Sequence, residues 1–184
     1  MATKKLLPAT IACMLACAAS VSPGAQAPDA GCKVDAFVLD PDPKGLNVRT
    51  GPNRDAQVIG KLPARSENIN VTITAAMEPW VQIADAVIAG EGKVIFKGPG
   101  WVFGPLLGVE AHSSHSTTGK GGKRAPVKVY KEANARSLVV TTLTPGLEVK
   151  ILSCSGKWVK IQHEKATGWL DPESQCAAQL TECS

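Results

Sequence analysis

The sequence is organised in short segments in which apolar and polar residues alternate. In Leu46–Arg49 the two apolar side chains fall on one side, and Asn47 and Arg49 fall on the other, as in a half-buried β-strand. Gly51-Pro52 then ends the strand, because proline has no N–H for a strand ladder and glycine tolerates a turn. Similar short segments follow at residues 58–62, 69–73, 80–83 and 100–102. Short strands separated by turn residues predict an all-β barrel or sandwich.

A longer segment lies between two of these strands. Residues 84–100 exceed what a tight connection requires, and they carry apolar residues on both sides of Gly90-Glu91-Gly92. Glycine-rich turns are typical of hairpin tips. The segment therefore predicts an elongated β-hairpin with its tip at residues 90–92.

The pattern of the first half returns in the second half in a less regular form. Val127–Tyr130 takes the place of Leu46–Arg49, and residues 139–146, 147–151, 158–161 and 168–170 repeat the segments that follow it. Four of the eight aromatic residues are tryptophans, and they fall at matching places, two in each half. Between the halves, residues 113–124 are polar and glycine-rich, a composition that cannot bury enough apolar surface to order itself.

The ordered motifs L-N-V-R-x-G-P, V-I-G-x-L-P, W-V-x-I and G-W-V resemble the bacterial SH3-like domain family over residues 46–107. The second half resembles it less specifically, because it lacks the asparagine, the arginine and the Gly-Pro of the first motif. The resemblance implies two small SH3-like β-barrels in tandem, at residues 28–107 and 125–184, joined by a flexible linker at 108–124. It also implies cell-wall or protein ligands, since such modules often hold cell-wall hydrolases on peptidoglycan.

Residues 1–27 have the pattern of a secretory signal peptide. Lys4-Lys5 is followed by an apolar run from Leu6 to Ala19 and by an A-x-A site that ends at Ala27. The run is too short for a convincing transmembrane span, so we expect export to the periplasm or the extracellular space without stable membrane insertion. Lipidation of Cys17 is the minor alternative.

The cysteines fit an oxidising compartment. Without residues 1–27 four remain, namely Cys32, Cys154, Cys176 and Cys183. An even count in an exported chain predicts two disulfides, for which three connectivities are possible. Two of the four lie in the polar tail, which a disulfide would tie down.

The charge of the chain excludes one class of partner. The formal net charge is +4, and removal of Lys4 and Lys5 with the signal peptide leaves about +2. This excess is too small to indicate a nucleic-acid-binding protein.

The candidate ligand-binding residues lie on the outward faces of predicted strands. Trp80 and Gln82 alternate with apolar neighbours, and Trp158 does the same in the second half, so these indoles are candidate platforms for a peptide or a sugar. Alternatively, each indole closes an end of a barrel or packs under the hairpin. We expect Trp101 and Trp169, which follow glycines in the terminal strands, to belong to the core.

Asn47 and Arg49 complete the predicted ligand-binding set. They could contact a carboxylate of an acidic peptide. Alternatively, Arg49 holds the neighbouring loop by hydrogen bonds, as exposed arginines often do.

No residue pattern indicates catalysis, a cofactor or a metal. His112 and His115 are two ligands where structural zinc requires four, and Cys154 with His163 would make a small thiol hydrolase only if Cys154 were not oxidised. The sequence predicts a non-catalytic exported binding protein, and the family resemblance implies that it binds peptidoglycan or its peptides. The alternative is an envelope protein-interaction module, either an accessory subunit or an inhibitor of a secreted enzyme.

Overall fold

The computed structural model describes residues 31–65, 68–113 and 124–177. These residues confirm the all-β prediction, since they form strands and two 3₁₀ turns, Gly104–Leu106 and Pro172–Ser174, and no α-helix. The strands are β1 (Val34–Val38), β2 (Leu46–Arg49), β3 (Val58–Leu62), β4 (Ile69–Met77), β5 (Trp80–Ile88), β6 (Lys93–Phe103), β7 (Leu107–Ala111), β8 (Val127–Tyr130), β9 (Val139–Leu143), β10 (Glu148–Ser155), β11 (Trp158–His163), β12 (Ala166–Leu170) and β13 (Gln175–Cys176). No helix in this part of the chain is long and apolar enough to span a bilayer.

All the strands belong to one antiparallel sheet. Their order is β3-β2-β6-β5-β4-β1-β7-β10-β11-β12-β8-β9, and β13 pairs with β7 beside this path. The path does not close, because β3 and β9 stand at its two ends. Two separate barrels are therefore not confirmed, since hydrogen bonds run without a break from the first half to the second.

The predicted elongated hairpin is confirmed. Strands β5 and β6 pair from Trp80 opposite Phe103 to Ile88 opposite Lys93. Gly90 and Gly92 in the turn have φ of 88° and 66°, which only glycine adopts without strain.

Strand β7 belongs to two repeats at once. Leu107 pairs with Val38 of β1, and in the same way Gln175 of β13 pairs with Ala111 of β7. Thus β7 ends a first repeat, β1–β7, and begins a second repeat, β7–β13.

The register of the neighbouring strands shows the same double role of β7. Ala36 of β1 lies opposite Val71 of β4, and Val109 of β7 lies opposite Val149 of β10. In each repeat the first strand therefore pairs with the fourth strand, and the register of the pairing is the same.

The predicted start of the linker at residue 108 is wrong, because residues 108–111 are strand. The close packing of Gly108 shows why this glycine belongs to the sheet. A Cβ there would lie 2.4 Å from Leu39 Cδ1 and 2.9 Å from the Val149 carbonyl oxygen. Residues 114–123, the predicted signal peptide and Cys183 lie outside the described residues. The division into two domains stays a prediction.

The two repeats share one core. Its fully buried side chains come from both halves and include Ile73, Ile83, Val109, Ile151 and Ile161. Burial of such aliphatic side chains is the main stabilising contribution in a small β-domain. The core therefore continues across β7, as the hydrogen bonds do.

Covalent and polar contacts also join the halves. A disulfide links Cys32 to Cys154. This bond is one of the pairings that the sequence leaves open. Cys176 is disulfide-bonded as well. Two ion pairs cross between the halves, Arg65–Glu148 at 2.7 Å and Lys160–Glu78 at 2.6 Å. Because both pairs are partly exposed to solvent, they contribute little compared with the core and the disulfide.

Candidate functional site

A groove in the first repeat brings together most of the predicted ligand-binding residues. This first groove has a volume of about 440 Å³, and it is lined by Asp40, Asp42, Gly45, Leu46, Asn47, Arg49, Arg54, Trp80, Phe103 and Leu106. It combines aromatic, aliphatic and charged walls, a composition that is common in sites for small polar ligands.

Strand alternation places Trp80 in this groove. Val81 and Ile83 are fully buried, so the other face of β5 carries Trp80 and Gln82, which are half-buried. Trp80 lies edge-on against Phe103 of the neighbouring strand, with ring centroids 5.6 Å apart and an interplanar angle of 66°. This contact fixes the indole while one side of it borders the groove.

Arg49 holds a neighbouring loop and also lines the groove, the two roles that the sequence allows for it. Its Nη1 donates a hydrogen bond to the Ala56 carbonyl oxygen at 2.8 Å, and so it holds the loop between β2 and β3. Within that loop, Asn53 Oδ1 accepts from the N–H of Ala56 at 2.7 Å. Arg49 also lines the groove.

The first groove is mixed in charge. Two carboxylates, of Asp40 and Asp42, and two guanidinium groups, of Arg49 and Arg54, line it. Asp40 is only 7% exposed, and its Oδ1 accepts a hydrogen bond from the Asp42 N–H at 3.0 Å. Asp40 therefore shapes the turn that forms one wall, whereas the exposed Arg54 is available to a carboxylate of a ligand.

A second groove lies at the corresponding place in the second repeat. It has a volume of about 410 Å³, and it is lined by His112, Ser113, Ala125, Pro126, Val127, Lys128, Tyr130, Asp171, Glu173 and Ser174. Tyr130 packs edge-on against Trp158, with ring centroids 5.8 Å apart and an interplanar angle of 80°. The aromatic pair of the first groove thus has a counterpart made from different strands.

The predicted ligand-binding residues are divided between the two grooves. Asn47, Arg49 and Trp80 lie together in the first groove, and Trp158 supports a wall of the second. Gln82 shares a face of β5 with Trp80, but it lies opposite Trp101 and is not among the lining residues. Whether these residues bind a ligand stays a prediction.

The two tryptophans assigned to the core differ in the structure. Trp101 is 6% exposed, as predicted. Trp169 is only half-buried, so its assignment to the core is wrong. It lies on the same face of β12 as Thr167 and opposite Tyr130, which places it on the outer side of the sheet.

Three groove residues lack a signal in the sequence. Phe103 is the last residue of β6, Leu106 belongs to a 3₁₀ turn, and Asp40 lies in a proline-rich turn. Each has an ordinary local role, and only the packing of β6 against β2 and β5 brings them to one place.

The structure gives no support to the thiol-hydrolase alternative. Cys154 is disulfide-bonded to Cys32, and a sulfur in a disulfide cannot act as a thiolate nucleophile. His163 has a carboxylate oxygen of Glu164 at 3.9 Å. Among the described residues, no group of three histidine, cysteine or carboxylate side chains is placed to hold a metal ion. His115 lies outside this part of the chain.

Comparison with known proteins gives a family match for part of the chain. No significant match is found among curated proteins. Two solved structures resemble the chain with a TM-score of 0.30, NlpC2 from Trichomonas vaginalis at 10% identity and NlpC1 from the same organism at 14%. The match covers 79% of this chain and 48% of NlpC2, and 88% of this chain and 50% of NlpC1. The chain thus spans about half the length of each of these proteins. A likeness with so low a TM-score says nothing about the function of this chain.

The family model is more informative. It describes the bacterial SH3 domain, and its match lies within the second half of the chain, where the sequence motifs are less regular. The resemblance of residues 46–107 rests on the motifs and on the equivalent register of the two repeats, and it stays a prediction. Residues 125–174 match the bacterial SH3 domain.

Proposed function

We propose that the protein is an exported, non-catalytic binding protein that recognises peptidoglycan, or peptides of it, through the first groove. The observation that carries this proposal is the position of Trp80. Its indole is held edge-on by Phe103 and borders a groove that Asn47 and Arg49 also line. The equivalent repeat matches the bacterial SH3 domain, which supports a binding role for the fold.

The chemistry of the first groove suits a short acidic peptide. The stem peptides of peptidoglycan offer amide groups and carboxylates. The indole provides an apolar face and an N–H donor, and Arg54 with the free N–H groups of Arg49 provides donors for a carboxylate. The mixed charge of the walls favours a ligand that carries both donors and acceptors over a plain polyanion.

Two features support action outside the cytoplasm. The cysteine pair Cys32–Cys154 forms a disulfide, and disulfides persist in oxidising compartments. The pattern of residues 1–27 predicts a signal peptide. We therefore place the protein in the periplasm or outside the cell, with a lipid anchor at Cys17 as the minor alternative.

The experiment is co-sedimentation of the mature protein with purified peptidoglycan. We expect Trp80→Ala to reduce the bound fraction at moderate salt, with little change in melting temperature because Trp80 is half-buried. Trp158→Ala, which changes the equivalent strand position in the second repeat, is the matched control. The proposal fails if the wild-type protein does not sediment, or if Trp80→Ala binds as the wild type does.

A protein-interaction module is the second candidate, and a specific feature of the sheet favours it. Strands β3 and β9 end the strand path, and both expose apolar side chains, with Val58 and Ile59 at 45% on β3, and Val139 at 39% and Val140 at 41% on β9. Unpaired strand edges of this kind can accept an extended segment of a partner protein. If the protein ignores peptidoglycan, Val58→Lys should weaken its capture of an envelope protein.

A further inference from the structure

We propose that the second groove is a separate binding site, for an organic ligand that carries a primary ammonium group. The proposed function concerns the first groove and does not require this second site. Three features of the second groove support this site: polar residues that replace apolar residues of the first repeat, the largely buried His112, and the charges of the walls.

The two repeats can be compared at this place because their backbones agree. The Leu39 N–H donates to the Leu106 carbonyl oxygen at 2.8 Å, and the His112 N–H donates to the Ser174 carbonyl oxygen at 2.9 Å. Leu106 and Ser174 are the last residues of equivalent 3₁₀ turns. The second repeat therefore has histidine and serine where the first has two leucines.

The residue before the 3₁₀ turn also changes from apolar in the first repeat to polar in the second. Phe103 precedes the first turn and Asp171 precedes the second. Three apolar positions of the first repeat are thus polar in the second. Asp171 has a local role, because its side chain caps the second turn by accepting the Glu173 N–H. A largely buried histidine in place of a leucine is less favourable for packing, so His112 is the change that packing does not explain.

His112 is the least expected of these residues. It is only 7% exposed and it lines the second groove. Asn70 Oδ1 is the only fully buried side-chain atom without a partner among the described residues, so the ring nitrogens of His112 stay accessible from the groove. A ligand in the groove can donate a hydrogen bond to this side chain, because a neutral imidazole offers one ring nitrogen as an acceptor.

The charges of the second groove indicate which ligand fits. Asp171 and Glu173 place two carboxylates against the single ammonium group of Lys128, and no ion pair in the described residues involves any of the three. Asp171 Oδ1 accepts the Glu173 N–H at 2.9 Å, which leaves its second oxygen free. Two unpaired carboxylates favour a cation, and the nearby ring of Tyr130 adds a weaker attraction for one.

The ligand is larger than a metal ion. Within the described residues, no three histidine, cysteine or carboxylate side chains stand close enough together to chelate a metal. An organic molecule can instead place its ammonium group at Asp171 and Glu173 and a second donor, such as an amide N–H, at His112. Both an N-terminal α-ammonium and a lysine-like side chain have this chemistry.

The test is an NMR titration of the full mature protein with three probes. These are the amide of Ala-Ala-Ala with a free α-ammonium group, its N-acetyl derivative, and N-acetyl-lysine methylamide. We expect the His112 imidazole signals to shift with the first probe, the third or both, and to stay unchanged with the acetylated peptide. A shift with the first alone identifies a peptide N-terminus as the ligand, and a shift with the third alone identifies a side-chain amine.

Variants separate the roles of the lining residues. Asp171→Asn should weaken binding about tenfold, as expected for loss of one charge-assisted hydrogen bond. His112→Leu restores the residue type found at the equivalent place in the first repeat, so it should fold and yet bind more weakly. Lys128→Gln, which removes the competing cation, should bind as well as the wild type or better.

Three results would overturn the proposal. They are the absence of a His112 shift with both ammonium probes, equal shifts with the acetylated peptide, and wild-type affinity in both His112→Leu and Asp171→Asn. If one of these variants does not fold, the other decides the question. Peptidoglycan binding through Trp80 is unaffected by any of these outcomes, so the two proposals fail separately.

Discussion

Cys32, just before β1, is joined by a disulfide to Cys154 in β10, 122 residues later in the chain. The Lys33 N–H donates to the Gly156 carbonyl oxygen at 2.8 Å beside this bridge. The start of the first repeat is thus attached to a strand of the second repeat, and β7 between them pairs with both. A covalent bond and hydrogen bonds therefore join the two repeats.

We predict that the halves stay together when the chain is cut between them. A recognition site for a specific protease, inserted within residues 114–123, would leave β7 on the N-terminal fragment and β10 and β13 on the other. Because β7 pairs with both of these strands, the cut protein should elute as one species in gel filtration, before and after reduction. Two separate folded fragments after reduction would contradict the shared strand.

We predict that the Cys32–Cys154 disulfide stabilises the fold strongly. Closing a long loop restricts the unfolded chain, and loss of a native disulfide typically costs about 2–5 kcal/mol. The double variant Cys32→Ser/Cys154→Ser should lower the midpoint of urea unfolding accordingly. The measurement is urea unfolding followed by tryptophan fluorescence, with thiol titration to show that the native wild-type protein has no reactive thiol at Cys154. An unchanged midpoint would assign the stability to the core alone.

The close packing of Gly108 predicts a selective effect of one methyl group. In Gly108→Ala the new Cβ would meet Leu39 and the Val149 backbone, and overpacking of this kind costs about 1–3 kcal/mol. Gly51→Ala is the matched control, because the nearest atom there lies 3.5 Å away. Thermal melts of both variants provide the comparison. If Gly51→Ala is as unstable as Gly108→Ala, the tight contact at β7 is not the cause.

The three strand tryptophans should differ in their effect on stability. Trp101 is buried, so Trp101→Ala should lose about 3–5 kcal/mol or fail to fold. Trp80 and Trp169 are half-buried, so their alanine variants should remain folded with smaller losses. Urea unfolding of the three variants tests this order. A Trp169→Ala variant as unstable as Trp101→Ala would restore Trp169 to the core.

Local alternation explains how much of the fold the sequence predicts. In Leu46–Arg49 and at residues 80–83, alternate side chains are buried as the sequence pattern predicts, and the glycine turn between β5 and β6 is equally local. The alternation pattern does not indicate strand β1, because residues 36–39 form a continuous apolar run. Strand β7 falls within the predicted linker, because its pairing depends on partners far away in the chain.

The candidate site was predictable only in part for the same reason. Asn47, Arg49 and Trp80 lie on strands whose outward faces the pattern identifies. Phe103 reaches the first groove only because β6 pairs with β5, and that pairing depends on long-range packing. His112 could not be identified as a groove residue, since its burial follows from the position of β7 between two repeats.

The most direct test of the central claim is calorimetric titration of the mature protein with a soluble peptidoglycan stem peptide. The wild type should bind, Trp80→Ala should bind at least about tenfold more weakly, since stacked aromatic anchors are often hot spots, and Trp158→Ala should bind as the wild type does. Equal affinities for the wild type and Trp80→Ala, or weakening by Trp158→Ala alone, would show that the first groove is not the peptide site.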